Sequence, residues 1–244
     1  MKYIDLFEEF KIELSLSTEP IRLIVLPGTQ KNQLKGSNLM WSDAEKTWII
    51  EFVEQHDFFL AHELGHIYLA IKYSCPYFAK QTRVPVNVNI GFYNSCIIDS
   101  FVNYNLSKYD KFYSYLLDLL DIYLNLGKDG PDPSTPDLLG FFLNIYLDLH
   151  YCLRQEDLKN RKISISNYIE KFENLILAKS KITNDQLNKI KGKLNEFEDF
   201  KDMEKNTSII HYIFQVLKII PFWSKNELVK NIRLIFNIKK IKGS

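Results

Sequence analysis

The chain has 244 residues, 46% hydrophobic and 25% charged, with 17 Phe and 14 Tyr; this excludes a disordered polar chain and suits one large domain or two small ones. Thirty-one basic against 30 acidic residues leave a formal charge of +1, so no global field draws the chain to nucleic acid or an anionic membrane. Cys75, Cys96 and Cys152 are an odd set at wide spacing, which suits neither a disulfide framework nor a paired-cysteine zinc knuckle and points to a reducing compartment.

In chain order, "MKYIDLFEEFKIELSLSTEP" carries Asp5, Glu8 and Glu9 early and lacks the unbroken apolar core of an export signal. A cytoplasmic location is therefore expected. "IRLIVL", residues 21–26, is a β-branched run closed by "PGTQKNQLKGSN" and reads as a strand and loop. "LMWSDAEKTWIIEFVE" reads as a hairpin, with Trp48, Ile50 and Phe52 on one face of its second strand. A helix is expected from about residue 57. "VPVNVNI" alternates as an extended segment does, and "SCIIDSFVNYNL" reads as helical. Amphipathic stretches then follow at 109–126, 136–157, 164–179, 183–204, 207–220 and 225–239. "LLGFFLNIYLDLHYCL" and "IIHYIFQVLKIIPFW" are shorter than the ~18 to 20 residues a membrane helix needs, so no membrane partner is expected. The expected fold is α+β: a small antiparallel sheet with an active-site helix and a ligand helix over residues 1–108, then an all-helical region over 109–244 of unknown role.

Within "FFLAHELGHIYLA", His62 and His66 lie four apart, so a helix projects both from one face, within reach of a common ion. Glu63 falls elsewhere on the turn. Leu60, Ala61, Leu64 and Ile67 make the surroundings apolar. Two buried imidazoles and a buried carboxylate are costly there unless hydrogen-bonded or ligated, and a metal would satisfy all three.

"AHELGHIY" resembles the active-site helix of zincin zinc metallopeptidases. A metzincin would have Gly at position 69 and His at 72; Leu69 and Lys72 reject that branch. A catalytic zinc ion takes three protein ligands and keeps one open position. The first acidic residue after Glu63 is Asp99, with Asn103 one turn later. Gluzincins, the thermolysin-like branch, carry Glu-x-x-x-Asp on the ligand helix, so the resemblance implies Asp99 as third ligand. Asn103 would then orient a metal-bound imidazole in place of the family's second acid. Cys96, His150 or a more distant acid are the alternatives for the third ligand.

The layout of residues 20–106 is similar to the compact minigluzincin core, whose relatives occur in phage, plasmid and stress-response proteins. Such a resemblance implies one Zn2+ ion, peptide-bond hydrolysis with Glu63 as general base, and an extended protein or peptide substrate paired with an exposed edge strand, here "KTWIIEF". An oxyanion donor would come from Tyr93, Tyr104, His150 or His211, among which sequence does not choose. The rival expectation is a regulatory interaction protein that keeps the zinc-binding fold without hydrolysis. Lys225, Lys230, Arg233, Lys239, Lys240 and Lys242 make the tail basic, yet no basic stripe accompanies it, so a solvated helix is favoured over a nucleic-acid site. Oligomeric state is not legible.

Overall fold

The computed structural model describes residues 2–29, 37–72, 98–125, 142–162, 164–179 and 182–197, with residues 200, 205, 208–209 and 212–213. The fold is α+β: an N-terminal helix and a three-stranded mixed sheet, followed by a mostly helical region. The described residues fall into two compact units, one drawn from Met1–Pro85 and Asn105–Leu119, the other from Val86–Tyr104 and Leu120–Ser244.

The first unit opens with a helix absent from the sequence-based expectations, α1 (Lys2–Glu13). Leu6, Phe7 and Phe10 recur at helical spacing and are buried with Leu14, which is the apolar stripe a helix needs to be held by its neighbours. Ser15 closes α1 with a positive φ of 57°, and the Leu16 N–H returns to the Lys11 carbonyl at 2.7 Å. A left-handed residue after the last turn satisfies orphan carbonyls in this way.

Strands β1 (Ile21–Leu26), β2 (Asn38–Ser42) and β3 (Thr47–Val53) pair in the order β1-β3-β2. The hairpin forms as expected, with Leu39 opposite Ile50 and Trp41 opposite Trp48. The two indoles meet edge-on at 4.8 Å. Two expectations are corrected. The sheet is mixed and not antiparallel, because β1 runs parallel to β3 with Ile21 opposite Trp48 and Val25 opposite Phe52. "KTWIIEF" is central and not an edge: β3 is paired on both sides, and Trp48, Ile49, Ile50, Phe52 and Val53 are all buried. A nearly continuous apolar run is what a strand covered on both faces requires. Among the described residues the edges are β1 and β2.

The loop leaving β1 passes close to the end of β3. A Cβ on Gly28 would sit 2.6 Å from the Glu54 carbonyl oxygen, a contact that only glycine avoids. β3 delivers the chain into α2 (Asp57–Lys72), which packs against β3 and α1. Helical residues 98–106, α3, lead to α4 (Asp110–Asn125). Phe112 of α4 meets Phe10 at 5.1 Å, and Lys111 pairs with Glu9.

In the second unit, helical residues 142–147 run into a π-helical turn, Asp148–Cys152, whose closing bond joins the Leu153 N–H to the Asp148 carbonyl at 3.0 Å. Helices follow at Gln155–Asn160, Ile165–Lys179 and Asn184–Leu194. The expected stretch 136–157 is thus interrupted at Leu153, where the backbone turns extended, and 183–204 ends at Leu194. Helices at 109–126 and 164–179 appear nearly as expected. "VPVNVNI", the stretch 225–239 and the basic tail lie outside the described residues. No helix among the described residues is long and apolar enough to cross a membrane.

Candidate metal centre

The centre is built on α2, and both ends of that helix are tied down. At its start His56 is the cap: its Nδ1 accepts the Phe58 N–H at 3.3 Å, and its carbonyl accepts the Phe59 N–H at 3.0 Å. Half-burial of the ring pushes the His56 pKa down, helped by nearby Lys2 and opposed by Asp57 and Asp118. Asp57, in the first turn, pairs with Lys2 at 2.9 Å, a favourable place for an acid beside the exposed N–H groups. At the other end Lys72 donates to the Tyr68 hydroxyl at 2.9 Å, and the Tyr109 hydroxyl donates to Tyr68 at 3.3 Å. Burial, with the Tyr68 hydrogen bond second, pushes the Tyr109 phenol up to about 12, so it stays a neutral donor at physiological pH.

Between these anchors Phe58, Leu60, Ala61, Leu64, Ile67, Leu69 and Ala70 face the interior. That apolar set fixes the helix rotation and leaves His62, Glu63 and His66 at its margin. All three are half-buried rather than buried, a correction to the expectation above. The reason is positional: they lie beside the stripe of Leu60, Leu64 and Ile67, and not within it.

The imidazoles converge. His62 Nε2 and His66 Nε2 are 3.1 Å apart, with ring centroids at 4.7 Å and planes at 86°. Two ligands about 2.0 to 2.1 Å from one tetrahedral ion would be roughly 3.4 Å apart, so the observed spacing is within a few tenths of an ångström of a shared ion. Ligand atoms of His62, His66 and Asp99 all lie within 4.8 Å of one another, and all three residues are half-buried. These residues can hold a metal ion. Two imidazoles and one carboxylate are a mixed nitrogen and oxygen donor set of the kind that divalent transition metals accept. Asp99 is legible in the sequence as the first acid downstream of the motif.

The other candidates are placed as follows. Asn103 is buried, and its side-chain nitrogen donates to both carboxylate oxygens of Asp148, at 3.1 and 3.3 Å. Tyr104 packs its ring on Phe200 at 5.0 Å. His150 is exposed in the π-helical turn, its ring 4.4 Å from that of Tyr146. Tyr93, His211 and Cys96 lie outside the described residues. In the sequence Asp148 is only a charge within an apolar run; its complete burial against Asn103 emerges from the fold. The cap at His56 is likewise a structural finding, although a histidine just before an apolar helical run is the local signal for it.

Comparison with protein-family models, curated proteins and solved structures returns no match to this chain.

Proposed function

We propose that this chain is a zinc-dependent metallopeptidase that hydrolyses peptide bonds of an extended protein substrate. The observation that carries this reading is the convergence of His62, His66 and Asp99 ligand atoms within 4.8 Å, with Glu63 adjacent to the first histidine on the same helix. Zinc held there would supply Lewis acidity, lowering the pKa of water in its open position to about 7 and polarising a substrate carbonyl. The Glu63 carboxylate accepts a proton from the attacking water and returns it to the leaving amide nitrogen. Its half-burial supports this role, since the side chain can meet both water and a substrate. An extended substrate strand would add to an edge of the sheet, which makes β1 or β2 its partner in place of β3.

The test uses zinc-loaded protein and a library of unstructured peptides read by mass spectrometry. Wild type is expected to cleave; Glu63→Gln is expected to retain zinc and to lose activity by about 10²- to 10⁴-fold, the scale of general-base catalysis. Equal cleavage by the two proteins would defeat the reading. The rival, a regulatory protein that keeps zinc without hydrolysis, draws support from Asp99 and Asn103 standing where gluzincins carry Glu and Asp, and from a large helical region without an assigned role. It would bind zinc, cleave nothing, and be indifferent to Glu63→Gln.

A further inference from the structure

The ligand helix α3 carries buried polar side chains, and two of them form a polar ladder to the segment that ends at Asp148. Ser100 Oγ donates to Asn144 Oδ1 at 3.2 Å. One turn further on, the Asn103 side-chain nitrogen donates to both oxygens of Asp148. Ser100 and Asn103 are three apart and Asn144 and Asp148 four apart, so each pair lies along one face of its helix. Two rungs about a turn apart fix both the rotation of α3 and its axial position, because sliding by one residue, about 1.5 Å, breaks both. In a third contact, Cys152 Sγ donates to Asp148 Oδ1 at 3.4 Å. Asp148 is 0% exposed and stands at the first position of the π-helical turn, an irregularity that recurs at functional sites. Elsewhere on α3, Phe101 and Tyr104 pack on Phe200 at 5.8 and 5.0 Å. Apolar packing alone would tolerate small rotations of the helix; a buried carboxyl group with both oxygens within hydrogen-bond distance of one amide nitrogen does not.

We propose that Asp148 is a positioning residue for the metal centre: through Asn103 it locks α3 in the one register that presents Asp99 to the ion held by His62 and His66. This rests on the zinc reading above. Asp99 immediately precedes Ser100 and lies one turn before Asn103, so its carboxylate is placed directly by the two rungs. The carboxyl group that fixes Asn103 comes from 45 residues further along the chain.

The experiment measures zinc affinity by competition with a chelator, and the visible spectrum of the cobalt-loaded protein, for wild type, Asp148→Asn and the reversal Asn103→Asp/Asp148→Asn. Asp148→Asn keeps the shape and replaces one carboxyl oxygen by an amide nitrogen that cannot accept from Asn103; it is expected to weaken zinc binding by about tenfold and to alter the cobalt spectrum, on the scale of outer-shell partners. The reversal restores an amide facing a carboxylate and is expected to recover most of the loss. Wild-type affinity and spectrum in Asp148→Asn would overturn the proposal, as would a lowered melting temperature in chelator with an unchanged spectrum, which is the mark of a merely structural role. If Asp148→Asn does not fold, Ser100→Ala deletes the other rung, with a loss of about threefold expected and an unchanged affinity overturning the proposal. A wild-type protein that binds no zinc defeats the metal reading and this one together; wild-type binding with indifferent variants defeats only the ladder.

Discussion

Three residues on α2 carry the proposed chemistry, and a fourth, His56, makes their helix start where it does. Its neutral Nδ1 accepts the Phe58 N–H, a bond that protonation at that nitrogen removes. Burial holds its folded pKa below the ordinary value. A depressed histidine contributes stability that is fully present above its unfolded pKa of ~6.5 and is lost as pH falls through the folded pKa, because the unfolded chain binds the proton first. Metal-free protein is therefore expected to melt at a lower temperature at pH 5.5 than at pH 7.5, with part of that difference absent in His56→Asn, which keeps a capping acceptor but does not titrate. Identical pH dependence in the two proteins would remove His56 from this role. At this scale the sequence is most informative. His62 and His66 are singled out by their spacing, and Glu63 and Asp99 by the resemblance to the gluzincin site, in which Asp99 is the first acid downstream of the motif. Asp148 cannot be chosen that way, because its partner Asn103 lies 45 residues away and only the folded chain brings the two together.

Among the elements, α2 and the hairpin are legible because their periodicities are clean and their turn, Asp43 to Lys46, is short and polar. The parallel β1–β3 pairing is not, since it depends on which strand is inserted between the other two, and no local pattern states that order. Yet the burial of both faces of β3 has a trace in the sequence: "TWIIEFV" barely alternates. Helix α1 escapes a sequence reading for a different reason. Its stripe of Leu6, Phe7 and Phe10 is diluted by acids, and its stability comes from packing against α2 and β1. Asn184–Leu194 shows both a good start and a weak point. Thr183 and Gln186 form a reciprocal capping box, whereas Gly192 lies inside the helix with nothing within 4 Å of where a Cβ would stand. Gly192→Ala is expected to stabilise the protein by about 0.5 to 1 kcal/mol, raising the melting temperature by roughly 2 °C for a chain of this size. A decrease would mean that the position is constrained by something other than helix propensity.

For the whole molecule, an α+β front followed by a mostly helical region is readable from the change in periodicity along the chain, and it is what the structure shows. On the proposal above, the helical region serves the centre through the ladder that ends at Asp148. Metal binding offers a global readout, because an ion that binds the folded chain and not the unfolded one stabilises it by mass action. At a free zinc concentration about 1,000 times the dissociation constant the gain is about 4 kcal/mol, on the order of 10 °C in melting temperature. Zinc is expected to raise the melting temperature of wild type and to leave that of His66→Ala nearly unchanged; equal shifts would place the ion elsewhere.

The zinc content of the purified protein tests the central claim most directly. Elemental analysis after removal of loosely bound metal is expected to find about one zinc ion per chain in wild type and in Glu63→Gln, and none in His62→Ala or His66→Ala. Wild-type protein without zinc after reconstitution, or full zinc content in either histidine variant, would contradict it.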